Sequence, residues 1–337
     1  MRYLEVTERD GHYAARLAEA EEPRPKAGEV AVRVAASGVN RADLSQIAGK
    51  YPPPPGESSI LGLEISGTVI ATGEEVCAIL AGGGHAEIVA VPEGQVFPAP
   101  RATGLIQAAA IPEVFLTAFV NLVEEGSLRE GETVLVHAGA SGVGLAAIAL
   151  AKLSGARVAS TTRTREKMAA LARAGADLTL DTSAEDFADA VEKRWGRGAV
   201  DVVLDPVGAD TLAGDLRLLA TGGRVIFLAT MSGARAELDI RVLMSKRARL
   251  IGSTLRSRSR EEKARIVRRF REEVLPAFDA GCLNVSIDSV YPPEEAEAAF
   301  TRMRENRNTG KILLDWTAGA RRAPASPSCA ISGVWRR

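Results

Sequence analysis

The chain has 337 residues, and its 42 Lys plus Arg against 43 Asp plus Glu give a formal net charge of −1. Hydrophobic residues make up 46% of the chain and charged residues 25%, which is ordinary for a globular protein. At about 100–200 residues per domain, the length predicts two domains, each able to bury a core. The near-neutral charge gives no reason to expect nucleic acid or an anionic membrane as the main partner.

The cysteine pattern and the hydropathy of the sequence bear on the cellular compartment of the protein. The three cysteines, Cys77, Cys282 and Cys329, contain no C-x2-C pair, and their odd number argues against a disulfide framework. We therefore expect a reducing, cytoplasmic environment. The N-terminus carries charges where a signal peptide needs an apolar run. The most hydrophobic long segment, residues 105–123, contains a proline and polar residues, so it predicts a buried helix and not a membrane span.

The first hundred residues have the pattern of a small β-rich domain. Runs at 29–39, 64–72 and 85–92 are rich in Val, Ile and Ala and alternate as half-buried strands do. Residues 50–56 contain four consecutive prolines, which exclude both a helix and a central strand. This segment is predicted to be an extended loop.

Further along, from about residue 125, strand-like runs alternate with helical segments. Strands that are apolar throughout and are each followed by a helix indicate a parallel sheet covered on both faces, the doubly wound α/β architecture. The predicted strands are 133–138, 157–162, 178–182, 200–205, 223–230 and 249–255. The predicted helices between them are 143–154, 165–174, 184–195 and 211–219.

The last part of the chain returns to a mixed pattern. A charged helical stretch at 257–278, a helix at 292–306 and a strand at 311–316 could rejoin the first domain. Residues 318–337 contain no acidic residue and no periodicity, and we expect them to form a disordered tail.

The charged stretch allows two interpretations. Between Arg256 and Glu273 there are eight Lys or Arg and four Glu, which could indicate RNA binding. The same stretch places Ile266, Val267, Phe270 and Val274 at helical spacing. This arrangement favours an amphipathic helix with a solvated charged face.

The strongest local signal is a strand-like run, 133–138, that leads into Gly139-Ala140-Ser141-Gly142-Val143-Gly144. A strand, a glycine turn and a helix form the context that a dinucleotide-binding fingerprint requires. The glycines let backbone N–H groups approach a pyrophosphate, and the helix N-terminus faces the anion with its partial positive charge. The middle glycine of the fingerprint is Ser141 here, and a tight turn without a ligand is the alternative interpretation.

Several other short motifs occur along the chain. They are NRADL at 40–44, GKYPPPPG at 49–56, ILGLE at 60–64, AAIPE at 109–113, LTA at 116–118, LRSR at 255–258 and NTGKI at 308–312. Together with HAGASGVG at 137–144, they make residues 1–316 resemble the quinone oxidoreductase branch of the zinc-free medium-chain dehydrogenases/reductases. The segment 69–79 is shorter than in that family.

The resemblance implies a fold and an assembly. It implies an α/β protein with a GroES-like β-rich catalytic domain and a Rossmann domain with a doubly wound parallel sheet. We place the catalytic domain at 1–120 and 257–317 and the NADPH-binding Rossmann domain at 121–256. A cleft between the domains and a homodimer are also implied.

The resemblance bears on metal binding as well. Zinc alcohol dehydrogenases of this fold place a catalytic Cys and a catalytic His where this sequence has Asn40 and Leu63. Leucine cannot bind zinc, and the four-cysteine structural lobe of those enzymes is absent from the sequence. We therefore expect no metal site, and alcohol oxidation is a poor fit without zinc to polarise an alkoxide.

The family analogy names the candidate site residues. The catalytic candidates are Tyr51, Asn40 and Asp43. The cofactor-binding candidates are Asn40, Tyr51, Thr117, Gly139, Ser141, Gly142, Val143, Gly144, Thr162, Lys167, Gly208, Thr230, Thr254, Leu255 and Asn308. Tyr51 could instead be a loop aromatic packed over the prolines, and Asp43 could instead cap a helix.

The charge pattern predicts NADPH as the cofactor. In NAD enzymes an acidic residue about 20 residues past the glycine turn holds the ribose hydroxyls. No acidic residue lies between Glu132 and Glu166, and the second strand ends in Ser160-Thr161-Thr162. The family analogy adds Lys167 as a phosphate-binding residue, while a tyrosine that assists in relatives is Thr182 here.

We therefore expect an NADPH-dependent oxidoreductase that transfers hydride or electrons to a quinone or an activated alkene without zinc. One alternative is an enoyl-thioester reductase. An alternative of another class is a non-catalytic nucleotide-sensing or RNA-binding protein. The physiological acceptor and the number of electrons delivered are left open by the sequence.

Overall fold

A computed structural model describes residues 1–9 and 12–318. The predicted tail, apart from residue 318, lies outside the described residues. The strands are β1 (Arg2–Arg9), β2 (His12–Glu19), β3 (Glu29–Val39), β4 (Glu64–Val69), β5 (Glu75–Ile79), β6 (Ile88–Pro92), β7 (Val96–Pro98), β8 (Thr133–Val136), β9 (Arg157–Thr162), β10 (Leu178–Asp181), β11 (Val200–Asp205), β12 (Leu219–Phe227), β13 (Arg249–Gly252), β14 (Ile287–Tyr291) and β15 (Lys311–Asp315). The α-helices are α1 (Arg41–Ile47), α2 (Leu105–Ala108), α3 (Pro112–Phe119), α4 (Gly142–Leu153), α5 (Met168–Arg173), α6 (Phe187–Trp195), α7 (Leu212–Leu218), α8 (Ile240–Lys246), α9 (Arg260–Glu273), α10 (Leu275–Asp279) and α11 (Ala296–Arg304).

The half that the sequence predicts to bind the nucleotide, called the nucleotide-binding half below, contains a six-stranded sheet in the order β10-β9-β8-β11-β12-β13. All its pairings are parallel. In chain order this is the 3-2-1-4-5-6 arrangement of a Rossmann fold, with the direction of winding reversed between β8 and β11. Both faces of the sheet are covered by buried apolar side chains. The predicted doubly wound parallel sheet is confirmed.

The other half, which the sequence predicts to be catalytic and which is called the catalytic half below, contains a seven-stranded sheet. Its strand order is β14-β15-β3-β4-β5-β7, with β6 paired to β3. Its pairings are antiparallel except that of β14 with β15. The last strand therefore rejoins the first domain beside β3, as the sequence pattern indicated. The shortened segment 69–79 is a tight hairpin, and β5 is paired on both sides, by β4 and β7.

The hydrophobic segment 105–123 is largely buried, as predicted, but it is not one helix. It breaks between α2 and α3 because Pro112 starts a new helix at its first position. A π-helical turn over Val120–Glu125 follows α3 directly. Within the described ranges, no helix combines the length and the apolar character that crossing a bilayer requires.

The two halves share an interface at the glycine turn. Helix α3 packs on α4, and the N–H of Gly310 donates to the carbonyl of Ala140 at 2.9 Å. One apolar cluster extends under both halves, from Phe97 and Phe119 to Ile148 and Phe270. The cofactor turn is therefore fixed to the catalytic half by packing and by main-chain hydrogen bonds.

The amphipathic interpretation of the charged stretch is confirmed by α9. Ile266, Val267 and Phe270 are buried, while arginines on the other faces pair with carboxylates. Arg265 and Arg269 both contact Glu124, at 2.7 and 3.0 Å. A face whose charges are matched in this way is a weak electrostatic site for RNA.

Candidate active site

The glycine turn after β8, residues 139–144, packs closely against its own backbone and against the second strand of the sheet. A Cβ on Gly144 would lie 2.6 Å from the carbonyl oxygen of Ala138, and one on Gly139 would lie 1.9 Å from Oγ of Ser160. Neither position can carry a side chain without moving the backbone or the second strand. The two outer glycines of the fingerprint are therefore required by contacts.

Ser141, the departure from the fingerprint, needs no glycine because its φ is −72°. Its Oγ accepts a hydrogen bond from the N–H of Gly144 at 3.0 Å and so caps α4. Among the described residues, the N–H of Val143 has no acceptor, and the bridge between Ser141 and Gly310 directs the N–H of Gly142 toward the carbonyl of Gly310. The free donor at the start of a twelve-residue helix fits a pyrophosphate.

The other cofactor candidates of this half lie at the carboxyl edge of the parallel sheet. Thr162 ends β9, and the remaining members of the set follow β11, β12 and β13 in turn. In open α/β sheets, ligands bind outside this edge at the point where the winding reverses. The later members are Gly208, Thr230, Thr254 and Leu255. The structure thus brings together residues that are far apart in the sequence.

Basic side chains surround the end of β9. The ammonium of Lys167 donates to the main-chain carbonyls of Asn306 and Asn308, at 2.6 and 2.7 Å. An ammonium has three donors, so one remains for a phosphate. Burial lowers the pKa of Lys167, and the nearby positive charges of Arg41 and Arg163 act in the same direction. An added dianion would relieve that repulsion.

A buried ion pair lies where the catalytic sheet meets the glycine turn. Lys311 pairs with Glu64, and its ammonium also donates to Oδ1 of Asn40 and the carbonyl of Val39, each at 2.8 Å. Nδ2 of Asn40 donates to Glu64 at 2.9 Å. The other oxygen of Glu64 accepts the N–H of Glu113 at 2.8 Å. We call Asn40, Glu64 and Lys311 the ion-pair cluster.

Asn40 is held firmly by this cluster. Its second amide hydrogen donates to the carbonyl of Gly38 at 3.2 Å, so both amide donors are used. One lone pair of Oδ1 is left for a ligand. Asn40 can therefore offer a cofactor or substrate a hydrogen-bond acceptor, but no donor.

Asp43, a catalytic candidate, caps the N-terminus of helix α1. It is fully buried, and its Oδ2 accepts the N–H of Asn40 at 2.7 Å at the start of α1. Its Oδ1 accepts the N–H of Gly62 at 3.2 Å. With no exposed surface, this carboxylate has no room for an acceptor, and the structure favours the capping alternative.

Tyr51 lies in the proline loop, and Arg256 fixes it there. The guanidinium of Arg256 stacks over the ring, 4.9 Å from its centroid, and donates to the carbonyl of Tyr51 at 3.1 Å. It also donates to the side chain of Gln46 and the carbonyl of Ala81. Within the described residues, the Tyr51 hydroxyl has no hydrogen-bond partner. Burial raises its pKa, so the hydroxyl stays protonated at neutral pH.

Two further candidates line the interface. Thr117 is nearly buried on α3, and its carbonyl accepts from the side chain of Asn121. Nδ2 of Asn308 donates to the carbonyl of Gly310 at 2.8 Å. Both lie beside the glycine turn, through the packing of α3 on α4 and through the contact of Gly310 with Ala140.

Comparison with known proteins agrees with this geometry. The family model "Alcohol dehydrogenase GroES-like domain" matches residues 26–101, and "Zinc-binding dehydrogenase" matches residues 142–272. Human quinone oxidoreductase is 30% identical over 303 residues, covering 87% of this chain and 90% of that protein. The chain belongs to the medium-chain dehydrogenase/reductase family.

Solved structures support the same membership. The quinone oxidoreductase from Thermus thermophilus, also solved in complex with NADPH, is 32% identical with a TM-score of 0.81, covering 94% of this chain and 100% of that one. An NAD-dependent alcohol dehydrogenase is 30% identical with a TM-score of 0.81, covering 94% and 99%. A phenolphthiocerol/phthiocerol polyketide synthase chain of Mycobacterium tuberculosis is 32% identical over 313 residues, but this chain spans only 14% of its length.

The zinc-free branch of the family fits the chemistry of this site. Leu63 is buried beside Glu64, and Asn40 is engaged in the ion-pair cluster. No group of three or more His, Cys, Asp or Glu side chains within residues 1–9 and 12–318 could hold a metal ion. The ammonium of Lys311 places a fixed positive charge against Glu64, which would repel a divalent cation.

Sequence reasoning did not identify Glu64, Lys311 or Arg256 as parts of the site. A signal was present, because Glu64 and Lys311 each begin a run of apolar residues. A charge inside a buried run must find a partner, but the sequence does not say which one.

The ion-pair cluster predicts a large stability effect. Lys311→Met would leave Glu64 buried without its counter-charge, which costs about 3–5 kcal/mol in the free energy of unfolding. Lys152→Met, which breaks the surface pair with Asp177, should cost less than about 1 kcal/mol. Urea denaturation of the two variants measures the difference. A loss below about 1 kcal/mol in both would contradict a structural role for the cluster.

Proposed function

We propose that this protein is an NADPH-dependent reductase that transfers hydride to quinones without a metal. The observation that carries the proposal is the meeting of two surfaces. The carboxyl edge of the Rossmann sheet, with the free N–H of Val143 at the glycine turn, adjoins a catalytic half that presents the unpaired hydroxyl of Tyr51. Membership of the family supports a nicotinamide-dependent oxidoreductase, and the quinone acceptor and NADPH are the finer parts of this proposal.

The proposed role of each residue follows from its place along the candidate cofactor site. Bound NADPH would supply the hydride. Gly139, Ser141, Gly142, Val143 and Gly144 form the turn that would hold the pyrophosphate, and Thr162 and Lys167 would hold the 2′-phosphate. Gly208, Thr230, Thr254, Leu255 and Asn308 would line the rest of the cofactor site.

At the acceptor end, the catalytic half would mainly orient the acceptor against the nicotinamide. Asn40 and Thr117 would position the nicotinamide end, with Asp43 holding the main chain of Asn40. Tyr51, clamped by Arg256, would stack on the acceptor or donate a hydrogen bond to it. Without a Lewis acid at this end, an acceptor that takes hydride readily suits the site better than an alcohol or a simple ketone.

A direct assay separates this function from its rivals. The protein is incubated with NADPH and either benzoquinone or crotonyl-coenzyme A, and absorbance of the reduced nicotinamide is followed. Oxidation with the quinone supports the proposal, whereas oxidation with the thioester alone identifies an enoyl-thioester reductase. NADPH binding without turnover of either acceptor would identify a nucleotide-sensing protein.

We predict a preference for NADPH over NADH. Lys167→Ala removes a charge-assisted hydrogen bond, so it should weaken NADPH binding by roughly 10–100-fold and leave NADH unchanged. Titration of intrinsic fluorescence gives both dissociation constants. Lys152→Ala is the control, because Lys152 pairs with Asp177. Equal kcat/KM for the two cofactors in the unmodified protein would overturn the assignment.

Tyr51 is expected to position the acceptor and not to act as an obligatory acid. Tyr51→Phe keeps the ring under Arg256 and should retain most of kcat, whereas Tyr51→Ala loses the stacking surface and should lose more. Steady-state kinetics with benzoquinone compares the two. A loss of about 1,000-fold in the phenylalanine variant, about 4 kcal/mol, would identify the hydroxyl as the proton donor instead.

A homodimer is the third part of the proposal. Strand β13 is an unpaired edge of the parallel sheet within the described residues, and the neighbouring apolar side chains of Ile240 and Met244 are 62% and 70% exposed. Such an edge and patch fit a second copy of the chain. Met244→Glu should raise the dimer dissociation constant at least about tenfold in sedimentation equilibrium. Leu153→Glu, at an exposed apolar residue on α4, should not; a monomeric unmodified protein would refute the dimer.

A further inference from the structure

Glu113 has a role still to be assigned. It is the second residue of α3, and its N–H is held by Glu64. Its side chain is only half-buried. Among the described residues, its carboxyl oxygens accept no hydrogen bond and form no ion pair. Because the side chain is partly exposed, this carboxyl is free to interact with a molecule bound at the interface.

Its position on α3 directs it toward the candidate acceptor site. Glu113 and Thr117 are four residues apart and therefore lie on one face of the helix. The next residue, Val114, touches the glycine turn, because a Cβ on Gly142 would lie 3.0 Å from Cγ1 of Val114. Tyr51 is close enough for the charge of Glu113 to raise the pKa of its hydroxyl. The charge of Glu113 thus reaches Tyr51, and its neighbour in the chain contacts the turn that would hold the cofactor.

The surrounding charges decide whether this carboxyl carries a proton. Burial, and then the negative charges of Glu64 on β4 and Asp43 on α1, raise its pKa from 4.5 to about 8. Lys311 on β15 and Lys263 on α9 act in the opposite direction. Arg256 and Tyr51 also face the group. The burial and like charges prevail, so at neutral pH the carboxyl is mostly protonated and can donate.

We propose that Glu113 is the proton donor to the quinone oxygen during hydride transfer. This inference rests on the proposed function. The quinone takes up the hydride with its electron pair and is reduced by two electrons, while the cofactor is oxidised to NADP⁺. The O–H bond of Glu113 breaks, and a new O–H bond forms on the quinone oxygen that faces it. The product leaves as a neutral hydroquinone, and water entering through the exposed side of Glu113 restores the proton.

This role explains why Tyr51 need not be an acid. A hydroquinone anion left in a partly desolvated cleft would be unfavourable. A neutral carboxyl removes that negative charge as it develops. Tyr51, clamped by Arg256, is then free to act through stacking and alignment alone.

The first test observes the carboxyl without turnover. Infrared difference spectra between about pH 6 and about pH 10 should show a protonated-carboxyl C=O band that titrates with a midpoint near 8. The band should be present in Glu261→Gln, a control at the exposed first turn of α9, and absent from Glu113→Gln. A band with a midpoint near 8 that persists in Glu113→Gln, or the lack of such a band in the unmodified protein, overturns the proposal. A component with a midpoint near 6 belongs to Asp215, because burial raises the pKa of that carboxyl to about 6.

The second test uses stability, and its sign follows from linkage. Because the folded-state pKa of Glu113 is raised, its stabilising contribution is full below the unfolded pKa and is lost as pH rises through about 8. The urea midpoint of Glu113→Gln, relative to the unmodified protein, should therefore increase from about pH 5 to about pH 9. A constant difference would mean that the carboxyl does not titrate in this range and would overturn the proposal.

The third test connects the proton to the reaction. At about pH 7, Glu113→Gln should lower kcat with benzoquinone by about 100-fold, the usual size of a general-acid contribution. The dissociation constant of NADPH should stay within about twofold, and the fall of kcat above about pH 8 should disappear. An unchanged kcat in Glu113→Gln overturns the donor role even where the infrared band is found. If the unmodified protein reduces no quinone, the proposed function fails and this role with it, while the infrared titration independently reports the protonation state.

Discussion

The buried carboxylate of Glu64 is the constraint on which the rest of the site depends. It begins β4, yet it is bonded to the side chain of Asn40, to Lys311 and to the N–H of Glu113. These groups belong to the residue that precedes α1, to β15 and to α3. A buried carboxylate without such partners would be strongly destabilising, so its burial requires the three segments to converge. The acceptor end of the cleft is assembled around this one charge.

Two glycines make room for the arrangement. A Cβ on Gly38 would lie 2.2 Å from Oε1 of Glu64, and a Cβ on Gly142 would lie 2.8 Å from Cδ of Lys311. The absence of a side chain at Gly38 lets strand β3 lie close to the carboxylate of Glu64. Its absence at Gly142 lets the glycine turn pack against the aliphatic part of the Lys311 side chain. The zinc-free site is therefore organised by an internal ammonium, which holds Asn40 and Glu64 in place without offering an open coordination position. That arrangement favours orientation of a reactive acceptor over Lewis-acid activation of a sluggish one.

Local pattern predicts much of the fold and little of this cluster. The strands 29–39, 157–162 and 200–205 have the predicted bounds, because runs rich in Val and Ala between turn residues specify strands. Helix α8 was missed because only Val242 and Leu243 pack against the core, while Ile240 and Met244 are exposed. The pairing of Glu64 with Lys311 joins residues 247 apart, and no local spacing encodes such a contact. The glycine turn was predictable because its motif lies in consecutive residues, and the capping of α1 was open to prediction because Asn40 and Asp43 are only three residues apart.

One segment of the catalytic half, residues 306–311, spans the candidate cofactor site. Asn306 and Asn308 accept from Lys167 at the end proposed for the 2′-phosphate. Gly310 bonds to Ala140 and is bridged to Ser141 at the glycine turn. Lys311 then pairs with Glu64 at the acceptor end. This short segment therefore makes direct hydrogen bonds to the end proposed for the 2′-phosphate, to the glycine turn and to the ion-pair cluster. The three regions are thus tied to one stretch of backbone.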